Sequence, residues 1–238
     1  MTKIFMYELR RLLLNKFFIT LAFINGFYAW FVLSTQTIMG TAFTAPFSQW
    51  SFGGYLAAVM PMIMLTTLFL LSFYYSRNEK QVAVLTSATP MDRRKYMLVR
   101  NAVVALGFLF LCLVAVILAI FFYASIFRFT SFGGFALPGV IIILPGFVLF
   151  MGLGHFVGKI HVGFLYALIP LLFLMGFLPL ILDIFGGGFF NNFPLTLPVA
   201  ADGEPAFVLS AGFIITRIMY MIVGIGLWMV RIKKGAVA

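Results

Sequence analysis

The chain of 238 residues has little charge and few of the side chains that enzymes use. Charged residues make up 9%, against roughly 25% in an ordinary globular chain, with only 6 Asp+Glu, 2 His and 1 Cys. The single cysteine, Cys112, lies inside an apolar run, which excludes a disulfide framework and a cysteine-based metal site. His155 and His161 are six residues apart, on opposite faces of a helix, and suit no zinc site; both read as structural. No His-Glu-x-x-His, no Gly-x-Ser-x-Gly and no paired carboxylates occur within the apolar runs, so the chain is not read as an enzyme. The stretch 152–159 imitates a phosphate loop, but Leu153 stands where the pattern needs Gly and Ile160 where it needs Ser or Thr. Gly154 and Gly158 instead form a small-residue pair suited to close helix packing.

What the chain has in quantity is apolar surface. Hydrophobic residues make up 63%, including 31 Phe and 13 Met, and mean hydropathy is +1.13. A soluble globule of this size still exposes about a third of its unfolded surface and could not hide so much. The chain therefore belongs in a bilayer. Spanning one takes about 20 mostly apolar residues, and six stretches qualify: 17–38, 53–76, 98–123, 137–157, 163–184 and 206–230. These are solid runs without the alternation of barrel strands, and every backbone group must be paired in lipid. The expected fold is an all-α integral membrane protein, one domain over 1–238, with six transmembrane helices.

The net charge of +10 does not point to nucleic acid, because the basic residues sit at the borders of the apolar runs. With the N-terminus inside, every Lys and Arg except Arg128 and Arg217 falls on the inner side, which makes both termini cytoplasmic in a cell membrane. Residues 1–16 are charged and amphipathic, with no cleavage site after Phe17, so they do not read as a signal. Phe5, Met6, Leu9, Leu12 and Leu13 share one face, and Lys3, Glu8, Arg10 and Arg11 take the other. That pattern predicts an interfacial helix on the inner leaflet, its cations toward lipid phosphates, serving as an anchor or as an elbow that docks a cytoplasmic partner.

Two further features stand out. The connection 185–205 is too apolar for a solvated loop and too broken by Pro194 and Pro198 for a span, so it either re-enters the outer membrane surface or rests on headgroups. Arg217 is the one deep charge in a span, placed near mid-span by the boundaries above. It either faces a translocation path or subunit interface, or pairs structurally with a helix-end carbonyl or Asp183.

The longest inner connection, 77–97, predicts a short helix over 79–89 stopped by Pro90, with Val82, Leu85 and Thr89 on one face that a cytoplasmic partner could bury. Glu79, Leu85, Pro90, Tyr96 and Arg100 fall in the order Glu-(x5)-Leu-(x4)-Pro-(x5)-Tyr-(x3)-Arg. With the N-terminal helix and six spans, this resembles the permease subunits of ABC transporters of the type-2 exporter class. It differs in holding Gln81, Val82 and Ala83 where many members have Gly-Thr. The resemblance implies that Glu79, Val82, Leu85, Thr89 and Pro90 form a coupling helix seated on a separate ATPase subunit, which binds ATP and Mg. It also implies that 185–205 corresponds to outer re-entrant helices, and that a second permease chain, identical or different, completes the membrane portion. The nearly uncharged interior suggests a hydrophobic or amphipathic cargo such as a lipid, peptide or drug-like molecule. An ion-coupled secondary carrier, disfavoured by the lack of intramembrane carboxylates, and a non-transporting anchor or sensor partner stay open beside it.

Overall fold

The computed structural model describes residues 2–76, 93–177, 183–199 and 205–230. Among the described residues eight α-helices run in order: α1 (Thr2–Leu13), α2 (Lys16–Thr35), α3 (Gln49–Tyr75), α4 (Arg93–Phe127), α5 (Ala136–Ile160), α6 (Val162–Phe177), α7 (Gly187–Asn192) and α8 (Ala211–Met229). Among the described residues there is no strand, only a single antiparallel bridge between Val199 and Pro205. Among the described residues five helical segments are long and apolar enough to cross a membrane, those containing α2, α3, α4, α5 and α8, and the protein is membrane-embedded. The 16 residues of α6 are apolar but shorter, and 178–182 beyond it lie outside the described residues.

Side-chain caps set three of the helix starts. Asn15 accepts from the Phe17 amide ahead of α2, Ser48 from Ser51 ahead of α3, and Ser210 from Phe213 ahead of α8. The last cap shortens the final span: residues 206–210 are not helical, and α8 begins at Ala211 rather than at 206. At the other extreme, α4 has 35 residues, about 52 Å at 1.5 Å per residue, and outruns a hydrocarbon core of about 30 Å.

The core sits around α3, which packs against α2, α4, α5, α6 and α7. In its apolar stretch 72% of residues are buried, against 17% in that of α8, so α3 is the central helix and α8 a peripheral one. Small residues make the contacts close. A Cβ at Gly154 would lie 2.4 Å from Leu71 and one at Gly158 2.6 Å from the Tyr75 ring, so this expected pair is where α5 meets α3. The closest approach uses other glycines: a Cβ at Gly152 would lie 2.0 Å from the Gly224 carbonyl oxygen, backbone of α5 against backbone of α8.

Candidate functional site

At the end of the bundle that carries α1, polar side chains from five helices meet. Glu8 is 1% exposed, although its helix is otherwise apolar on that side. It accepts a hydrogen bond from the Tyr96 hydroxyl at 2.9 Å and faces Arg11 at 3.2 Å. The Arg100 guanidinium lies 3.9 Å over the Tyr74 ring and donates to the Tyr74 carbonyl at 3.1 Å. Tyr96 and Arg100, the last two residues of the motif read from the sequence, thus tie α4 to α1 and to α3. The inward face of α1 is rotated from the expected one: Glu8 and Leu12 are buried, while Met6 is 44% exposed. Its outer face carries Lys3, Tyr7 and Arg10.

One layer deeper, buried His155 of α5 joins three more helices. Its Nε2 lies 2.7 Å from Asn101 Oδ1, and its Nδ1 meets the Tyr75 hydroxyl. An amide oxygen only accepts, so Nε2 carries the proton and Nδ1 accepts from Tyr75: a neutral imidazole with both nitrogens paired. Trp228 of α8 stacks on the ring at 6.3 Å, and Lys159 donates to the Trp228 and Val230 carbonyls at 3.3 and 3.1 Å, at the end of α8. His155 is therefore held structurally, as its sequence context suggested. His161 is exposed and accepts from the Gly163 amide at 3.0 Å.

At the opposite end, α7 and the 3-10 turn after it fold over the start of α3. Phe190 is fully buried against Gly53, and Trp50 is surrounded by Phe189, Phe190, Phe193 and Phe207 while donating to the Pro205 carbonyl at 3.2 Å. Arg217, 3% exposed, closes the same end from α8. It donates to the Ile184 carbonyl and, at 3.3 Å, to the Asp183 carbonyl, and its guanidinium lies 4.4 Å over the Phe213 ring. The Asp183 carboxylate is spent elsewhere, accepting from the Gly186 and Phe189 amides at 2.9 Å each. The geometry gives Arg217 backbone carbonyls as partners, and the later start of α8 moves it six residues from that helix's beginning, about 9 Å, rather than to mid-span.

Between α3, α4 and α5 a groove of about 550 Å³ opens sideways, lined almost wholly by apolar side chains. The residues expected to contact an ATPase, Glu79, Val82, Leu85, Thr89 and Pro90, all lie outside the described residues. Sequence reasoning missed the partnership of Glu8 with Tyr96. Its signal was the spacing of Phe5, Glu8, Leu9 and Leu12, which is that of one helical face.

Fold and polar clusters together define a class: an all-helical, membrane-embedded bundle tied at one end by a polar network and capped at the other by aromatics. Compared with protein families, curated proteins and solved structures, the chain matches none.

Proposed function

We propose that the chain is the membrane-spanning permease subunit of an ATP-driven exporter of the ABC type, moving a hydrophobic or amphipathic cargo. ATP and Mg are bound and hydrolysed by a separate ATPase subunit, and a second permease chain completes the pathway. In this reading 163–184 is the sixth span, α1 lies on the inner leaflet with Lys3 and Arg10 toward phosphates, both termini are cytoplasmic, and 185–205 is the re-entrant outer segment.

One observation carries the reading. The connection 77–92 leaves α3 after Ser76 and enters α4 at Arg93, and at that junction the motif residues Tyr96 and Arg100 are bonded into Glu8 of α1 and Tyr74 of α3. A push delivered to 79–90 therefore reaches α1, α3 and α4 at once, and α5 and α8 through the Tyr75, Asn101, His155 and Trp228 contacts. Such a device converts a movement outside the membrane into a rearrangement of helices inside it, and in this reading the ATPase subunit supplies the energy for that movement. At the far end, Arg217 and the Trp50 cluster hold 183–199 against α3 and α8, the place this reading gives to the outer exit.

The test is to purify the tagged chain from its native host in mild detergent and identify what accompanies it. A nucleotide-binding ATPase is expected to co-purify and to be lost with Leu85→Asp, which places a charge in the apolar stripe of 79–89. Recovery of the chain without an ATPase in several detergents removes the reading.

A further inference from the structure

The lateral groove has the dimensions and ends of a lipid site. Its walls are Phe108 and Ile120 of α4 and Gly139, Ile143 and Phe147 of α5, with Phe52 of α3 at its base. Leu109, Val140 and Leu144 on its lining are 54%, 59% and 44% exposed, so it opens to the outside of the bundle, where five membrane-crossing helices meet acyl chains. From Ala136 to Phe147 it follows α5 for about 17 Å, roughly half of a 30 Å hydrocarbon core, which is the depth of one leaflet. Its volume falls in the range of about 300–1,000 Å³ that suits a single small ligand.

The groove ends at Phe132 and Phe135, in the connection between α4 and α5, and that connection carries Arg128. Arg128 is exposed, makes no hydrogen bond or ion pair among the described residues, and is the one exposed cation among them at the α7 end. Its φ is +53°, in the left-handed region where glycine costs nothing and a residue with a Cβ costs about 1–2 kcal/mol. The reversal there brings Phe129 to stack on Phe135 of the groove at 5.9 Å. An arginine thus occupies a glycine position in the same connection whose Phe132 and Phe135 end an apolar groove one leaflet deep.

We propose that the groove holds one acyl chain of a phospholipid from the leaflet at the α7 end, with the Arg128 guanidinium donating to its phosphate. A cation on the connection that ends an apolar channel matches an anionic headgroup joined to a hydrocarbon tail. This goes beyond the permease reading and stands whether or not the chain serves an ATPase.

The probe is a phosphatidylglycerol bearing a diazirine in one acyl chain, irradiated with the full chain in phosphatidylcholine nanodiscs, the labelled peptides being read by mass spectrometry. Label is expected on 108–120 and 136–147. Gly139 lines the groove, and a Cβ there meets nothing within 4 Å; Gly139→Trp puts a large ring on that wall, and groove labelling is expected to fall at least about tenfold, a change worth roughly 1.4 kcal/mol, with thermal stability retained. Arg128→Gly relieves the turn and is expected to keep or raise thermal stability, while phosphatidylglycerol labelling falls about tenfold, the scale of a lost charge-assisted bond. Labelling by a diazirine diacylglycerol, which has no phosphate, is expected to be the same in Arg128→Gly and the parent chain. Label spread evenly over the outer surfaces of all the helices, or groove label unchanged in Gly139→Trp, overturns the proposal. Phosphatidylglycerol labelling unchanged in Arg128→Gly overturns the phosphate contact. A disulfide between two copies carrying Val140→Cys overturns it differently, by putting a second chain on the groove.

Discussion

Gly152→Leu is expected to separate α8 from the bundle and cost about 3 kcal/mol or more, the upper end of what overpacking a close contact brings. The reason is the identity of the atoms in the way. A Cβ at Gly152 would lie 2.0 Å from the Gly224 carbonyl oxygen and 2.8 Å from the Gly224 Cα, and a Cβ at Gly224 would lie 2.4 Å from the Val148 carbonyl oxygen. A flexible side-chain end could swing aside; a backbone carbonyl in a regular helix cannot. The damage spreads because α8 has few other attachments: its buried residues are Phe213, Arg217 and Gly224. Displacing α8 pulls Arg217 off the Ile184 and Asp183 carbonyls and the α8 terminus off Lys159. Thermal unfolding in detergent reads the effect. Gly139→Ala, on the same helix with nothing within 4 Å, serves as the control and is expected within about 0.5 kcal/mol of the parent. Equal melting of Gly152→Leu and Gly139→Ala contradicts the glycine-to-glycine approach.

Glu8→Lys is expected to release α1 from α4 with a loss of about 3–5 kcal/mol, the range for breaking a buried pair by removing one partner. The substitution takes away the acceptor of the Tyr96 hydroxyl and places a cation beside Arg11, 3.2 Å from the present carboxylate. Glu8→Gln keeps an acceptor for Tyr96 while losing the charge, and is expected to cost about 1 kcal/mol. The readout is maleimide labelling of Leu12→Cys, a position 6% exposed, in a chain whose Cys112 has been replaced. Labelling is expected to be slow beside Glu8, intermediate beside Glu8→Gln and fast beside Glu8→Lys. Equal rates in all three contradict the docking of α1 through Glu8.

Much of this architecture is legible in the sequence, and the parts that are not have physical causes. Long apolar runs announce α2, α3, α4 and α5 because burial of a helix in lipid demands length and little else. The same signal misplaces the start of α8: residues 206–210 are apolar yet not helical, and hydropathy does not distinguish an apolar extended segment from an apolar helix. Arg217 then shifts from mid-span toward one end, where carbonyls of 183 and 184 come within reach. As an acid Glu8 reads onto the polar face, while its position at the edge of the Phe5, Leu9, Leu12 stripe points inward; the partner that makes burial tolerable, Tyr96, is 88 residues away. Gly154 and Gly158 were recognisable as a packing pair from spacing alone. Gly152 and Gly224 were not, since their relation exists only once α5 and α8 are side by side. The groove has no local signature either: it is lined from three helices, with Phe108 of α4 stacked on Phe147 of α5 and Phe52 contributed by α3.

The central claim is that residues 79–90 seat on an ATPase subunit, and a photo-cross-linking residue placed at Leu85 in the living native host tests it most directly. The expected result is an adduct to a nucleotide-binding ATPase that is strong from Leu85 and Val82 and absent from Phe43, which is 94% exposed at the opposite end of the bundle. Adducts from Leu85 to lipid alone, or to proteins that bind no nucleotide, contradict the permease reading.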